Sequence, residues 1–284
     1  MPPSVVTIRR ALNTTSYVAP RLAGRYAFRL FCEPTGRAPV RPAEKEVHEA
    51  ASVERIVVDG KGVAVYRWGD GKGEPVLLMH GFAMRASALA GFVPGLLERG
   101  LTPVAYDAFG HGDSEGRNTT LLDHRALTAA LHDRHGPFRA IIGHSFGGTC
   151  AYDAVREGVR AERIVSIGAL CDFRTSYDTF CVQLGLREGL KKELHRRTEE
   201  FFRPETDIWR RFSVSHRPEL ITARSLVVHD RKDREVAFAE AGKIVTALGG
   251  RSRLVATEGL GHRRVLTDPS VIGQSLDFVT GGDA

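Results

Sequence analysis

The chain alternates short apolar runs with longer segments in which apolar and polar residues recur at helical spacing. Short apolar runs bounded by turn residues are typical of buried strands, and apolar residues three or four positions apart are typical of helices. The predicted strands are 55–59, 63–68, 75–79, 103–106, 140–142, 163–170, 225–229 and 253–257. The predicted helices are 20–32, 87–98, 121–135, 148–155, 177–186, 188–202, 235–248 and 269–280. This alternation predicts an α/β fold with a mostly parallel sheet that helices cover on both faces.

Two segments depart from the alternation and divide the chain. Residues 171–223 carry aromatic and charged helical segments without a strand, which predicts a helical insertion. Residues 1–52 form an N-terminal arm, in which one helix is followed by a linker with three prolines and one glycine at 33–42. The remaining part of the chain is the expected core, formed by 53–170 and 224–284.

Length and composition are those of an enzyme-sized globular chain. Its 284 residues are 42% hydrophobic, enough for one large α/β domain or two small ones. No apolar run approaches the length of a membrane span, and the N-terminus lacks the features of a signal peptide, so we expect a cytoplasmic protein. Four cysteines without paired spacing favour reduced thiols over disulfides or a zinc site. They are Cys32, Cys150, Cys171 and Cys181.

The formal net charge of +6 is concentrated in the arm. Residues 1–43 contain seven arginines and one acidic residue, Glu33. This distribution argues against a nucleic-acid-binding body and favours a local contact with something anionic. Arg21, Arg25 and Arg29 form one stripe on the predicted helix 20–32, and apolar residues occupy most of its remaining surface. The helix is expected either to pack on its own body or a second subunit, or to contact a membrane peripherally.

The segment Gly143-His144-Ser145-Phe146-Gly147 carries the candidate chemistry. It follows the apolar run 140–142 and precedes a helical pattern, which is the strand-turn-helix context of a nucleophilic serine. The flanking glycines suit a turn too sharp for side chains. Ser145 is therefore the candidate nucleophile. The alternative interpretation is an ordinary turn between a strand and a helix.

With these segments in order, the chain resembles the α/β-hydrolase superfamily over about residues 53–280. The resemblance implies an eight-stranded, mostly parallel sheet with an antiparallel second strand. It also implies that the insertion is a helical cap. The segments that carry the resemblance are His80-Gly81-Phe82, 107–114, the Ser145 turn, 226–236 and 259–266.

The resemblance also implies a catalytic acid and a catalytic histidine, which follow the serine in chain order in this family. The family's acid precedes a valine by three residues, which points to Asp233 before Val236. Asp230 stands where the family usually has glycine, and some members place the acid after the sixth strand, where Asp172 lies; both remain alternatives. The matching histidine loop makes His262 the implied base.

By the same resemblance, the backbone N–H groups of Phe82 and Phe146 form the oxyanion hole. Phe173, Tyr177 and Phe180 are candidate side chains of an apolar substrate pocket. The chemistry requires no metal and no organic cofactor.

The other histidines are predicted to have supporting or solvated positions. Structural roles are expected for His80, His111, His144 and His229. A solvated helix face is expected for His124, His132 and His135, which lack the pattern of a metal-ligand set.

The sequence therefore predicts a serine hydrolase that cleaves a carboxylic ester of a small to medium, largely apolar acyl group through an acyl-Ser145 intermediate. An acyltransferase, perhydrolase or peptidase with the same triad is an alternative. A non-catalytic binding or signalling protein on the same scaffold is another. The expected partner is a small-molecule ester, with no nucleic acid.

Overall fold

An eight-stranded sheet lies at the centre of the computed structural model, which describes residues 3–281. Its strands are β1 (Ser52–Val58), β2 (Lys61–Arg67), β3 (Pro75–Met79), β4 (Thr102–Tyr106), β5 (Phe138–His144), β6 (Ala161–Ile167), β7 (Arg224–Asp230) and β8 (Ser252–Thr257). Their order across the sheet is β1-β2-β4-β3-β5-β6-β7-β8. β2 is antiparallel to both neighbours, and the other neighbouring pairs are parallel. The predicted sheet is confirmed, including its antiparallel second strand.

Helices connect the strands and also form the arm and the insertion. They are α1 (Pro3–Val18), α2 (Pro20–Cys32), α3 (Lys45–Glu49), α4 (Val93–Glu98), α5 (Leu121–His135), α6 (Phe146–Arg156), α7 (Phe173–Gln183), α8 (Glu188–Phe201), α9 (Ile208–Arg211), α10 (Ala239–Leu248), α11 (Gly261–Arg264) and α12 (Pro269–Thr280). The helix predicted at 20–32 is α2, with the same ends. Between β6 and β7 the chain forms α7, α8 and α9 and no strand.

Helices on both faces of the sheet explain why its central strands read as continuous apolar runs. Neighbouring residues of one strand point to opposite faces, so that Leu77 and Leu78 belong to two different hydrophobic clusters. All five residues of β4 are buried. The edge strand β8 instead alternates between more and less exposed residues, because a sheet edge is less covered.

Two predicted helices begin later than expected, for local chemical reasons. The first half of the helix predicted at 87–98 is a 3-10 helix. The α-helix α4 follows it with Pro94 in its first turn, where the missing N–H costs nothing. The helix predicted at 235–248 is α10, which begins four residues later. The backbone N–H groups of Glu235 and Val236 donate instead to the carboxylate of Asp233 at 2.8 and 2.9 Å.

The prediction that His124 lies on a solvated helix face is wrong. His124 is 1% exposed, and its Nδ1 atom lies 2.7 Å from the hydroxyl oxygen of Tyr106. α5 packs its buried side, which includes Leu127 and Leu131, against the sheet. His124 belongs to this side because it precedes Leu127 by about one helical turn.

The arm packs on the insertion. α2 contacts α8. A third hydrophobic cluster contains side chains from three helices: Leu12 of α1, Ala27 of α2 and Leu194 of α8. A hydrogen bond from Asn13 Nδ2 to the carbonyl oxygen of Gly185, at 2.9 Å, adds a polar contact. Within residues 3–281, no helix is both long and apolar enough to cross a bilayer.

Candidate active site

Ser145 occupies a sharp turn between β5 and α6. Its φ and ψ are 53° and −123°, a conformation that costs a residue with a side chain about 1 to 3 kcal/mol. Gly147 is required two residues later, because a Cβ there would collide with the carbonyl oxygens of Met79 and His80. The N–H of Ser145 donates to the carbonyl oxygen of Ile167 at 2.8 Å. The turn is therefore tied to the ends of two neighbouring strands.

His262 and Asp233 form a buried hydrogen-bonded pair. The Nδ1 atom of His262, on α11, lies 2.7 Å from Oδ2 of Asp233, in the loop after β7. The side chains are 6% and 1% exposed. Burial disfavours ionisation of the carboxyl group, but hydrogen bonds from His229, His262 and the N–H of Val236 outweigh it and hold the pKa of Asp233 well below its usual value. Asp233 is therefore ionised, and its carboxylate accepts a hydrogen bond from the N–H group at Nδ1 of His262.

The buried side chain of His229 also contacts this carboxylate. Its Nε2 atom lies 3.5 Å from Oδ2 of Asp233 and 3.0 Å from the carbonyl oxygen of Val236, and the side chain is fully buried. The contact holds Asp233 and the following residues in one conformation.

The two alternative acids lie elsewhere. Asp230 accepts hydrogen bonds from the hydroxyl of Thr257 and from the N–H groups of Gly259 and Leu260, at 2.8, 3.2 and 2.9 Å. It thereby fixes the loop that leads to His262. Asp172 pairs with Lys243 at 2.7 Å. The structure thus places Asp233 beside the imidazole of His262, whereas Asp230 and Asp172 have other partners.

A cavity of about 310 Å³ contains Ser145 and His262 in its wall. Most of the other lining side chains are apolar. They include Leu30, Phe31, Met84, Leu121, Leu170, Phe202 and Val236, together with the predicted Phe82, Phe146, Phe173 and Phe180. The cavity is bounded by the core, the insertion and the arm.

Tyr177 is not part of this lining, which corrects its placement in the pocket. Its hydroxyl donates to the carbonyl oxygen of Lys191 at 2.5 Å, and its ring packs on Trp209. On α7 the cavity-lining residues are Phe173, Ser176, Thr179, Phe180 and Gln183. Tyr177 follows Ser176 and is turned about 100° from it, towards α8 and the arm.

The two predicted oxyanion-hole residues border Ser145. A Cβ atom on Gly81 would lie 3.1 Å from Cβ of Ser145, so that the chain before Phe82 passes close to the serine. Phe146 is the first residue of α6, where N–H groups have no partner within the helix. Within residues 3–281, neither the N–H of Phe82 nor that of Phe146 donates a hydrogen bond.

Buried neutral histidines hold the loops around the cavity. Nε2 of His80 accepts from the N–H of Ala108, and Nε2 of His111 accepts from the N–H of Ala83, both at 3.0 Å. His144 Nε2 donates to the carbonyl oxygen of His262 at 2.8 Å. Burial lowers the pKa of His111 to about 4 and that of His144 to about 3. In the described part of the chain, no group of three or more His, Cys, Asp or Glu could hold a metal ion.

Sequence reasoning missed the contribution of the arm to the cavity. Leu30, Phe31 and Cys32, at the end of α2, line it. The ring centroids of Phe31 and Phe180 are 5.2 Å apart, and the carbonyl oxygen of Cys32 accepts from the N–H of Thr119 at 3.2 Å. The helical pattern indicated that these side chains form an apolar face, but it carried no signal for the surface that they cover.

Comparisons with known proteins agree with the observed fold. A family model described as the alpha/beta hydrolase family matches residues 76–272. A non-heme haloperoxidase of Rhodococcus erythropolis is 23% identical over an alignment of 266 positions, gaps included, that covers 77% of this chain and 95% of that protein. A non-heme chloroperoxidase of Streptomyces lividans is 32% identical over 129 residues, 43% of this chain and 46% of that protein. The structure of an esterase from Pyrococcus furiosus superimposes with a TM-score of 0.66 at 17% identity, covering 88% of this chain and 97% of that one.

Proposed function

Because the chain belongs to the alpha/beta hydrolase family, we propose that it is a serine hydrolase that cleaves carboxylic esters of small to medium, largely apolar acyl groups. One observation supports this most strongly. Ser145, in its strained turn, and His262, paired with Asp233 at 2.7 Å, line the same cavity. A hydroxyl is a weak nucleophile unless a neighbouring base takes its proton, and this arrangement supplies one.

The reaction begins with attack of Ser145 Oγ on the ester carbonyl carbon. His262 takes the hydroxyl proton at Nε2, since its Nδ1–H is engaged by the Asp233 carboxylate, which stabilises the resulting imidazolium. The negative charge that forms on the carbonyl oxygen is stabilised by the N–H groups of Phe82 and Phe146. The intermediate then collapses, and His262 returns the proton to the departing alcohol.

A second half-reaction restores the serine. Water attacks the acyl-Ser145 ester while His262 accepts one of its protons, and the same N–H groups stabilise the second tetrahedral intermediate. Collapse releases the carboxylic acid, and His262 protonates Ser145 Oγ. Every proton passes through one imidazole.

The cavity supports an apolar acyl group of limited size. Its volume of about 310 Å³ lies at the lower end of the range for small-molecule pockets. Phenylalanine and aliphatic side chains dominate the wall, and burial of each methylene of an acyl chain contributes about 0.8 kcal/mol. Binding is therefore expected to improve with chain length until the cavity is full.

Hydrolysis of a graded series of p-nitrophenyl esters tests the proposal. The wild-type protein is expected to hydrolyse short and medium acyl chains and to lose activity with long ones. Ser145→Ala is expected to abolish turnover. Ser176→Ala is the matched control, because it removes another hydroxyl from the same cavity wall and should retain activity. Equal activity of the wild type and Ser145→Ala would exclude the proposed nucleophile.

The names of the two curated relatives favour a second acceptor for the acyl group. Both proteins are named as peroxidases. In a perhydrolase reaction, hydrogen peroxide replaces water: its oxygen attacks the acyl-Ser145 ester, one proton passes to His262, and a peracid leaves. Peracid formation from an acetyl ester and hydrogen peroxide tests this. Ester hydrolysis without any peracid would restrict the acceptor to water.

A further inference from the structure

The outward side of the arm carries a row of exposed apolar side chains. Tyr17 and Val18, at the end of α1, are 72% and 86% exposed, and Leu22 and Tyr26 of α2 are 46% and 52% exposed. Val18, Leu22 and Tyr26 follow one another at intervals of four residues. Leu22 and Tyr26 lie on the side of α2 that faces away from the insertion, because Ala23 and Ala27 are the residues of this helix buried against it. Exposed apolar side chains are normally scattered singly over a protein surface, so four neighbouring ones call for an explanation.

Unpaired positive charge lies directly beside this row. Arg21 and Arg25, each one position before a member of the row, are exposed, and within residues 3–281 neither forms an ion pair. The guanidinium group of Arg187 lies 3.7 Å from the ring centroid of Tyr17. The four apolar residues together with Arg21 and Arg25 are called the arm face below.

The nearest acidic side chains are already engaged by other arginines. Glu33 pairs with Arg29 at 2.6 Å, and Glu193 pairs with Arg196 at 2.6 Å. Gly24 lies against Glu193, on the inner side of α2. These carboxylates therefore serve the packing of the arm on the insertion. Arg21 interacts with Glu193 only beyond ion-pair distance, and Arg25 forms no ion pair within residues 3–281, so both guanidinium groups stay available to an anionic surface.

We propose that the arm face binds the surface of an anionic lipid bilayer. A helix that presents aromatic and aliphatic side chains flanked by arginines can insert the former among lipid chains while the latter contact anionic headgroups. α2, about 20 Å long, is suited to lie in the plane of the interface rather than across it. A second copy of the chain is a poorer occupant, because a symmetric contact through this face would bring the unpaired arginines of both copies together.

The position of the arm gives this binding a consequence for the candidate active site. The same helix lines the cavity through Leu30 and Phe31, near its other end. A bound bilayer would therefore lie against the helix that bounds the cavity. The binding itself does not depend on Ser145, so its test is independent of the proposed hydrolase function.

Flotation with lipid vesicles tests the proposal on the full chain. The wild type is expected to float with vesicles of mixed phosphatidylglycerol and phosphatidylcholine and to remain unbound with pure phosphatidylcholine. High salt should weaken the binding by screening. Arg21→Gln combined with Arg25→Gln is expected to weaken partition about 30-fold, as for two basic residues removed from an anionic surface. Leu22→Ser combined with Tyr26→Ser should weaken it by at least about tenfold.

Matched substitutions elsewhere on the surface serve as controls. Arg160→Gln removes an exposed arginine before β6, and Val57→Ser removes a 75% exposed apolar group from β1; both should bind as the wild type does. Equal losses in these controls, or no flotation of the wild type with anionic vesicles, would overturn the proposal. So would sedimentation showing a dimer that Leu22→Ser with Tyr26→Ser dissociates, because the face would then belong to a second copy.

Discussion

Asp233 is the residue on which the chemistry of the candidate site depends. Its carboxylate accepts from Nδ1 of His262 at 2.7 Å, which places the imidazole proton on Nδ1 and leaves Nε2 free to act as a base. Its other oxygen accepts from the N–H groups of Glu235 and Val236. The carboxylate thus fixes both the tautomer and the orientation of His262.

Asp233→Asn is expected to lower kcat about 10⁴-fold with little change in fold, because the amide favours the wrong tautomer of His262. Asp230→Asn is the comparison: its carboxylate holds the backbone before His262, so its loss should reduce stability by about 1 to 3 kcal/mol and change kcat far less. Steady-state kinetics and thermal unfolding of both variants measure the two effects. The opposite order of kcat losses would assign the catalytic acid to Asp230.

The resemblance to the family was enough to point to Ser145, His262 and Asp233, because the family's motifs are local in sequence, but it left Asp230 and Asp172 as alternatives to Asp233. The role of Asp230 could not be predicted in the same way. Its hydrogen-bond partners Thr257 and Leu260 belong to another strand and loop, so its function appears only once β7 and β8 are adjacent.

His111 gives the fold a pH dependence whose sign follows from its burial. Its pKa is lowered to about 4 in the folded protein, against about 6.5 in the unfolded chain. Between these values the unfolded state binds more protons, so the free energy of unfolding should fall as pH decreases from about 6.5 to 4. One such histidine contributes up to about 1.4 kcal/mol per pH unit.

Denaturant titrations at pH 7 and pH 5 test this expectation. His111→Gln should be less stable than the wild type at pH 7 and should lose less stability between the two values. An identical decrease in both proteins would show that His111 does not carry the effect.

Among the elements, α2 has the most important role that the sequence did not reveal, because it forms part of the cavity wall. Pro20 and the helical periodicity predicted its ends, since both are local signals. Its contacts with α8 and with the cavity are long-range, and its apolar positions alone were compatible with several surfaces. The same limit applied to α5, where only packing on the sheet distinguishes His124 from a solvated residue.

Phe31→Ala is expected to shift the ester preference towards longer acyl chains, because it removes a ring from the cavity wall. Phe28→Ala is the matched control on the same helix: its ring contacts Phe201, at 5.0 Å between centroids, and does not line the cavity. Comparison of kcat/KM across p-nitrophenyl esters should show an increase for long relative to short chains of about tenfold in Phe31→Ala alone. The same shift in both variants would indicate general loosening of the arm instead.

At the scale of the whole molecule, the sheet brings together residues that are far apart in sequence. Ser145 follows β5, Asp233 follows β7 and His262 follows β8. These strands are parallel and only β6 lies between β5 and β7, so all three residues lie beyond the same, carboxyl edge of the sheet. The alternation of apolar runs with helical segments predicted the mostly parallel sheet. The enclosure of the site did not follow from the pattern, because it depends on how the arm and the insertion pack on each other.

A fluorophosphonate probe tests the central claim most directly, since it reacts with a serine hydroxyl only where a base activates it. Peptide mass mapping of the labelled wild-type protein is expected to find one adduct, on Ser145, and His262→Ala should slow its formation by at least about 10³-fold. A folded wild-type protein that remains unlabelled, or that carries the adduct on another serine, would contradict the account.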